Sequence, residues 1–197
     1  AKVAQGIKDW RPEASVGQYR MAGCQADMGL PDMTIAEAKA AGAKTLVIGV
    51  ANRGGTFSDA WKAVLIEALH AGMDVASGLH TLLRDDPDLG AAAASSGADL
   101  HAVRLPTMRY PIADGKRRPG KRVLAVGTDC SCGKMYTALA LEAALKRQGR
   151  SASFRATGQT GIFIAGSGMP IDAVVSDFLS GSVEVLCPEA QPSHWDV

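Results

Sequence analysis

Aromatic residues make up only 5% of this 197-residue chain. An interior so poor in Phe, Tyr and Trp does not suit an aromatic-rich β-sandwich. Small aliphatic residues suit close packing of helices on a sheet. Cysteine is scarce too. Cys24, Cys130, Cys132 and Cys187 are too few, in a chain this long, for a disulfide framework, so reduced thiols of a cytoplasmic protein are expected. Long apolar runs are missing. Residues 45–50 and 162–165 are strand-sized, far below the roughly 20 residues that span a bilayer. No charged-then-apolar signal segment opens the chain. Charge of one sign is lacking as well. With 21 Lys+Arg against 20 Asp+Glu, no strong field points to nucleic acid or an anionic membrane. The apolar share of 47% excludes wholesale disorder. The first residue is not Met and the last are His194-Trp195-Asp196-Val197, which reads as part of a longer protein truncated at both ends.

What is present reads as two α/β units. In the first, Thr34 caps a short helix over 35–41, with Glu37 at the capping-box position and Gly42 ending it. Residues 45–50 form a buried strand. Asn52, Arg53, Gly54 and Gly55 turn the chain, and Ser58 caps a helix through Trp61, Val64, Leu65, Ala68 and Leu69. Residues 73–76 are the next strand. A helix follows Asp85-Asp86-Pro87-Asp88, and 100–103 is a third strand. Strands alternating with helices imply a parallel sheet with right-handed crossovers. Pro106, Pro111 and Pro119 break that rhythm, so the domains divide as 1–110, a linker over 111–121, and 122–197. Lys116, Arg117, Arg118, Lys121 and Arg122 form a basic cluster there: a solvated linker, or a docking patch for a phosphorylated ligand. The second unit is expected to run as a strand over 123–126, a helix over 133–148, a strand over 152–155 and a short strand or hairpin arm over 162–165. A helix from Pro170 to Ser180 and a strand over 183–186 complete it.

The informative segment joins the strand at 123–126 to its helix: Gly127, Thr128, Asp129, Cys130, Ser131, Cys132, Gly133, Lys134, Met135. This is where a phosphate loop works, with backbone N–H groups wrapping the anion, a helix N-terminus facing it and a Lys adding charge. Two features depart from the usual motif. Five residues separate the glycines instead of four, and Met135 stands where a Ser or Thr hydroxyl normally ligates Mg²⁺. A thioether is a poor ligand for that hard cation. Thr137 and Ser131 offer hydroxyls nearby, away from the usual geometry.

The spacing resembles the phosphate loop of dethiobiotin synthetase, an ATP-dependent carboxylase. A longer resemblance runs through residues 127–141, 154–165, 171–175 and 194–196, with Trp10-Arg11-Pro12-Glu13, Gly29-Leu30-Pro31-Asp32 and Ala76-Ser77-Gly78-Leu79-His80 agreeing upstream. On these motifs the chain resembles the D-glutamate N-acetyltransferase family. That resemblance implies an α/β fold with a Rossmann-like N-terminal domain and an incomplete, P-loop NTPase-like, parallel-sheet C-terminal domain. It also implies an acetyltransferase that carries the acetyl group of acetyl-CoA to the amine of D-glutamate.

On that reading residues 127–135 anchor the phosphates of CoA, and the hydroxyl that Met135 replaces is dispensable, because thioester aminolysis needs no metal. It needs a neutral amine, a base and donors to an oxyanion. Asp129, Arg155, Gln159 and His194 are the catalytic candidates. Arg155, Thr157, Gln159 and Thr160 are the substrate-binding ones, with Arg155 suited to clamp a carboxylate or to make a surface ion pair. Asp172 and Asp177 are further candidate bases. Cys130 beside the helix start could accept an acyl group, although a small buried cysteine is the ordinary role. His80 and His101 read as structural, and Cys130-Ser131-Cys132 is too weak a signal for a metal, so none is expected. Two other classes stay open: an ATP- and Mg²⁺-dependent kinase or ligase, and a non-catalytic nucleotide or CoA binder. The expected partner is a small amino-acid substrate, with no nucleic acid or membrane, and a homo-oligomer is compatible with the sequence.

Overall fold

The computed structural model describes residues 1–50, 52–188 and 190–197. The chain divides into two compact units, Ala1–Leu105 and Pro106–Val197.

The first unit contains α1 (Lys2–Trp10), α2 (Ile35–Ala40), β1 (Thr45–Val47), α3 (Asp59–His70), β2 (Asp74–Ser77), α4 (Pro87–Ser96) and β3 (Leu100–Ala102). Its strands form one parallel sheet in the order β1-β2-β3. The caps follow the sequence. The Thr34 hydroxyl accepts from the Glu37 N–H while the Glu37 carboxylate accepts from the Thr34 N–H, and Ser58 Oγ accepts from the Trp61 N–H. Leu65 and Leu69 on α3, Leu89 on α4 and Val75 on β2 close the core with Ile35, Met73 and Leu79. Helix α1 is an element the sequence reading misses, although Val3, Ile7 and Trp10 recur at helical spacing. It lies against β1's exit. The Ala4 N–H donates to the Gly49 carbonyl, and a Cβ on Gly49 would sit 2.7 Å from Ala4 Cβ, so a side chain there would push α1 away.

The second unit contains β4 (Lys121–Arg122), α5 (Lys134–Arg147), β5 (Ala152–Ser153), α6 (Gln159–Ala165), α7 (Leu179–Leu186) and β6 (Trp195–Asp196). Its sheet is parallel in the order β4-β6-β5, with the last strand between the two earlier ones. Ala138 and Leu145 of α5 cover Ala152 and Val197, with Ala125, Phe154 and Trp195 packed around them.

Four expectations are corrected in this unit. Residues 162–165 are helical: Gly158 is the extended N-cap of α6 and left-handed Gly166 stops it. A four-residue apolar run cannot by itself distinguish strand from buried helix. Residues 183–186 are helical too. Gly181 lets α7 press onto the chain at Pro111, whose carbonyl oxygen would be 1.8 Å from a Cβ at 181, so packing overrides the strand preference of Val183 and Val185. Between them, Pro170 to Ser180 is not one helix. Short 3-10 turns at Ile171–Ala173 and Ser176–Phe178 flank extended Val174 and Val175. Finally, residues 123–126 are ladder-bonded only at Val123, whose N–H donates to the Asp196 carbonyl. Leu124 and Val126 beyond it are exposed. Among the described residues no helix is long and apolar enough to cross a membrane.

Candidate functional site

The segment from Gly127 to Lys134 folds as a tight loop entering α5. Gly133 is the left-handed N-cap with φ 97°, and Ser131, at φ 59°, is the one non-glycine residue with positive φ among those described. Two positive-φ residues this close turn successive N–H groups toward one side, which is how a loop makes an anion-binding concavity. Gly127 is dictated by close approach: a Cβ there would lie 2.4 Å from Cys132 Sγ and 3.3 Å from Lys134 Cγ. Lys134 folds back over the loop, its Nζ donating to the Asp129 carbonyl at 2.5 Å and lying 3.5 Å from Cys132 Sγ. Asp129 Oδ1 accepts from the Cys130 N–H at 2.6 Å, so this carboxylate shapes the loop. Hydrogen bonding from the Asp129 backbone, aided by Lys134, draws the Cys132 thiol below the usual thiol range. The expectation of a buried Cys130 is corrected: Cys130 and Cys132 are both exposed, because the loop stands out from the sheet and the strand residues before it are themselves open.

A second loop leaves β5 on the same carboxyl edge of the sheet. The Arg155 N–H donates to the Val197 carbonyl, and its Nε donates to Asp196 Oδ1 at 2.7 Å. Asp196 is 2% exposed, and Arg122 Nε and His194 Nε2 approach its two oxygens at 3.7 and 3.5 Å. The Arg155 guanidinium is thus committed to an internal carboxylate. Beyond it, Thr157 and Gly158 are exposed, and half-buried Gln159 and Thr160 open α6. In this parallel register the loops 127–133 and 157–160 leave strands that flank β6.

His194 precedes β6 at the amino edge, where its Nδ1 pairs with Ser151 Oγ at 2.7 Å and its Nε2 faces the same Asp196 oxygen that Arg155 holds. Residues 127–135 and the loop after Arg155 follow the carboxyl ends of β4 and β5. Asp172 and Asp177 lie on exposed 3-10 turns. The basic cluster is largely engaged. Arg118 pairs with Glu184 and Asp114 at 3.0 and 3.1 Å, Lys121 lies 4.7 Å over the Trp195 ring, and Arg122 donates to the carbonyls of Pro119, Cys187 and Pro188.

In the first unit, His101 Nε2 lies 3.3 Å from Asp74 Oδ2, and His80 packs on Gly55. The Arg53 side chain lies outside the described residues. Sequence reasoning missed Arg104, whose Nε donates to the Gly78 carbonyl at 2.5 Å, and Asp196, because both partners are set by strand neighbours remote in sequence.

Two family models account for most of the chain. One, described as a DUF1611 C-terminal P-loop domain of unknown function, matches residues 111–197. The other, a DUF1611 N-terminal Rossmann-like domain of unknown function, matches residues 19–106. The chain belongs to the DUF1611 family. Its parallel sheets agree with the Rossmann-like and P-loop assignments, and with a crystal structure of a DUF1611 family protein from Anabaena variabilis. That structure matches at 37% identity and a TM-score of 0.75, over 84% of this chain and 49% of the other. Among curated proteins, this DUF1611 chain is 62% identical to one from Tritonibacter scottomollicae and 45% identical to one from a Pseudoalteromonas species, each named D-glutamate N-acetyltransferase. The matches span all of this chain and 59% of each relative's length.

Proposed function

We propose that this chain is part of an enzyme that transfers the acetyl group of acetyl-CoA to the amine of D-glutamate, with residues 127–135 holding the phosphates of CoA. The observation that carries the reading is the loop's own chemistry. It presents a folded-back lysine, a helix N-terminus and positive-φ turns, yet Met135 gives no hard oxygen ligand where Mg²⁺–nucleotide loops place one. The names of the curated relatives support the reaction. In it, the amine nitrogen attacks the thioester carbonyl, the C–S bond breaks, and the proton lost by the nitrogen ends on the departing sulfur, so that the amide and free CoA thiol are the products.

Anchoring CoA by its phosphates leaves the thioester free to reach a second set of groups. Thr157, Gln159 and Thr160 offer hydroxyl and amide donors to polarise its carbonyl. Arg155, held by Asp196, fixes where that loop begins and acts as a positioning residue. Asp129 keeps the phosphate loop in shape. The test is thiol release from acetyl-CoA by the full-length protein with D-glutamate. Release that depends on D-glutamate supports the reading; none above background, with amino acids of either hand, overturns it. Titration with ATP, with and without Mg²⁺, tests the kinase or ligase class, for which Mg²⁺-enhanced binding is the required result.

A further inference from the structure

The sheet of the first unit gathers, toward its amino edge, three side chains that the acetyltransferase reading does not use. Asp74 opens β2, Asp99 immediately precedes β3, and His101 is the middle residue of β3. Successive strand residues alternate between faces, so Asp99 and His101, two apart, share one. The ladder pairs Val75 with Leu100 and so sets Asp74 beside Asp99. The Val75 N–H donates to the Asp99 carbonyl at 2.9 Å, and the Asp99 N–H donates to Asp74 Oδ1 at 2.9 Å. Asp74 Oδ2 is left facing His101 Nε2 at 3.3 Å. β3 ends the order β1-β2-β3, and both Asp99 and His101 are exposed.

One donor atom from each of Asp74, Asp99 and His101 lies within 4.8 Å of the other two, and among the described residues no other His, Cys, Asp or Glu group of three or more converges in this way. A cation held at about 2.1 Å by nitrogen and oxygen places tetrahedral donors roughly 3.4 Å apart. The 3.3 Å between His101 Nε2 and Asp74 Oδ2 is already that separation. Two carboxylates side by side on adjacent strands repel each other, and a divalent cation between them turns the repulsion into attraction. The bond from the Asp99 N–H, with His101 and Lys39 nearby, holds the Asp74 carboxyl below the usual carboxylate range, so it is ionised at neutral pH. Lys39 itself donates its Nζ to the Gly72 carbonyl at 2.8 Å. The imidazole decides the class of ion. Mg²⁺ and Ca²⁺ prefer oxygen throughout, while Zn²⁺ and its neighbours accept nitrogen and oxygen together.

We propose that Asp74, Asp99 and His101 form a binding site for a borderline divalent cation of the Zn²⁺ or Co²⁺ type, with water completing its coordination. Three protein ligands leave at least one position open, the arrangement in which a bound metal can meet a further ligand. His101, which reads as structural in the sequence, becomes the ligand that sets the choice of metal. The site shares no residue with the phosphate loop and stands or falls independently of CoA binding.

The experiment titrates the full-length protein with Co²⁺ and follows the visible absorption of the bound ion. A saturable spectrum is expected, without the intense near-ultraviolet band that a thiolate ligand such as Cys130 or Cys132 would add. Zn²⁺ should displace the Co²⁺, and an equal concentration of Mg²⁺ should not. His101→Gln and Asp99→Asn, with folding checked by circular dichroism, should each weaken binding about tenfold or more. A second readout needs no variant: Zn²⁺ should slow carbethoxylation of His101 by diethyl pyrocarbonate, counted by mass spectrometry, and leave that of His70 unchanged. Undiminished binding in both folded variants, a spectrum dominated by the thiolate band, displacement by Mg²⁺, or carbethoxylation of His101 that Zn²⁺ does not slow overturns the proposal.

Discussion

Arg155 and Asp196 hold each other across neighbouring strands, Nε to Oδ1 at 2.7 Å, with the aspartate side chain 1% exposed. Asp196→Ala removes the buried member and leaves Arg155, 29% exposed, without its acceptor. The loss of this charge-assisted hydrogen bond should cost about 1.5–3 kcal/mol of stability, read as a lower midpoint in urea. Asp196→Asn should cost less, because the amide oxygen can still accept from Arg155. An unchanged midpoint for both would mean that the pair does not hold the sheet.

Lys134→Ala should lower CoA affinity about ten- to a hundredfold, the loss of one or two charge-assisted hydrogen bonds. Thermal stability should change little, since this lysine sits at a helix start on an exposed loop. Calorimetric titration with CoA checks the first part and a melting curve the second. Unchanged affinity in a folded variant would remove the phosphate-loop reading.

Met135→Thr restores a hydroxyl at the position that serves Mg²⁺ in nucleotide loops. The expected outcome is no gain in thiol release from acetyl-CoA. A marked rise in Mg²⁺-dependent ATP binding, with ATP consumed, would favour the kinase or ligase class.

Cys132 should be alkylated at lower pH than a simple thiol. Its thiolate forms as pH rises through a pKa drawn down by the Asp129 backbone and by Lys134, so the reactive form is present earlier. Burial pushes Cys187 the other way, so it should be modified last. Mass-spectrometric counting of iodoacetamide adducts against pH gives both profiles. Lys134→Ala should move the Cys132 profile to higher pH.

Gly181→Ala places a methyl group 1.8 Å from the Pro111 carbonyl oxygen. Backbone must shift to admit it, which should destabilise the second unit by about 1–3 kcal/mol. Gly158→Ala meets no atom within 4 Å and serves as the control.

Local signals carried most of what the sequence disclosed. The Thr34 and Ser58 caps, the strand-helix alternation of the first unit and the phosphate loop all depend on residues a few positions apart. The parts that were not legible depend on neighbours supplied by the fold. Val183 and Val185 favour a strand until Gly181 lets their segment dock as a helix. Arg155 reads as a free clamp until β6 brings Asp196 alongside. Arg104 follows a three-residue strand, and its bond to the Gly78 carbonyl joins residues 26 positions apart that local sequence does not connect. Within the candidate site, the glycine-framed turn into α5 was readable, but the meeting of His194 and Arg155 on Asp196 follows from strand order, which spacing does not encode.

The order β4-β6-β5 has a consequence for how the protein is made. The strand that joins the phosphate loop's strand to the Arg155 strand is the last of the three to leave the ribosome. Until Trp195 and Asp196 emerge, β4 and β5 have no common neighbour to align them, and Arg155 has no anion to hold. The Gly127–Lys134 loop and Arg155 therefore take their final places only after residues translated behind both of them have arrived.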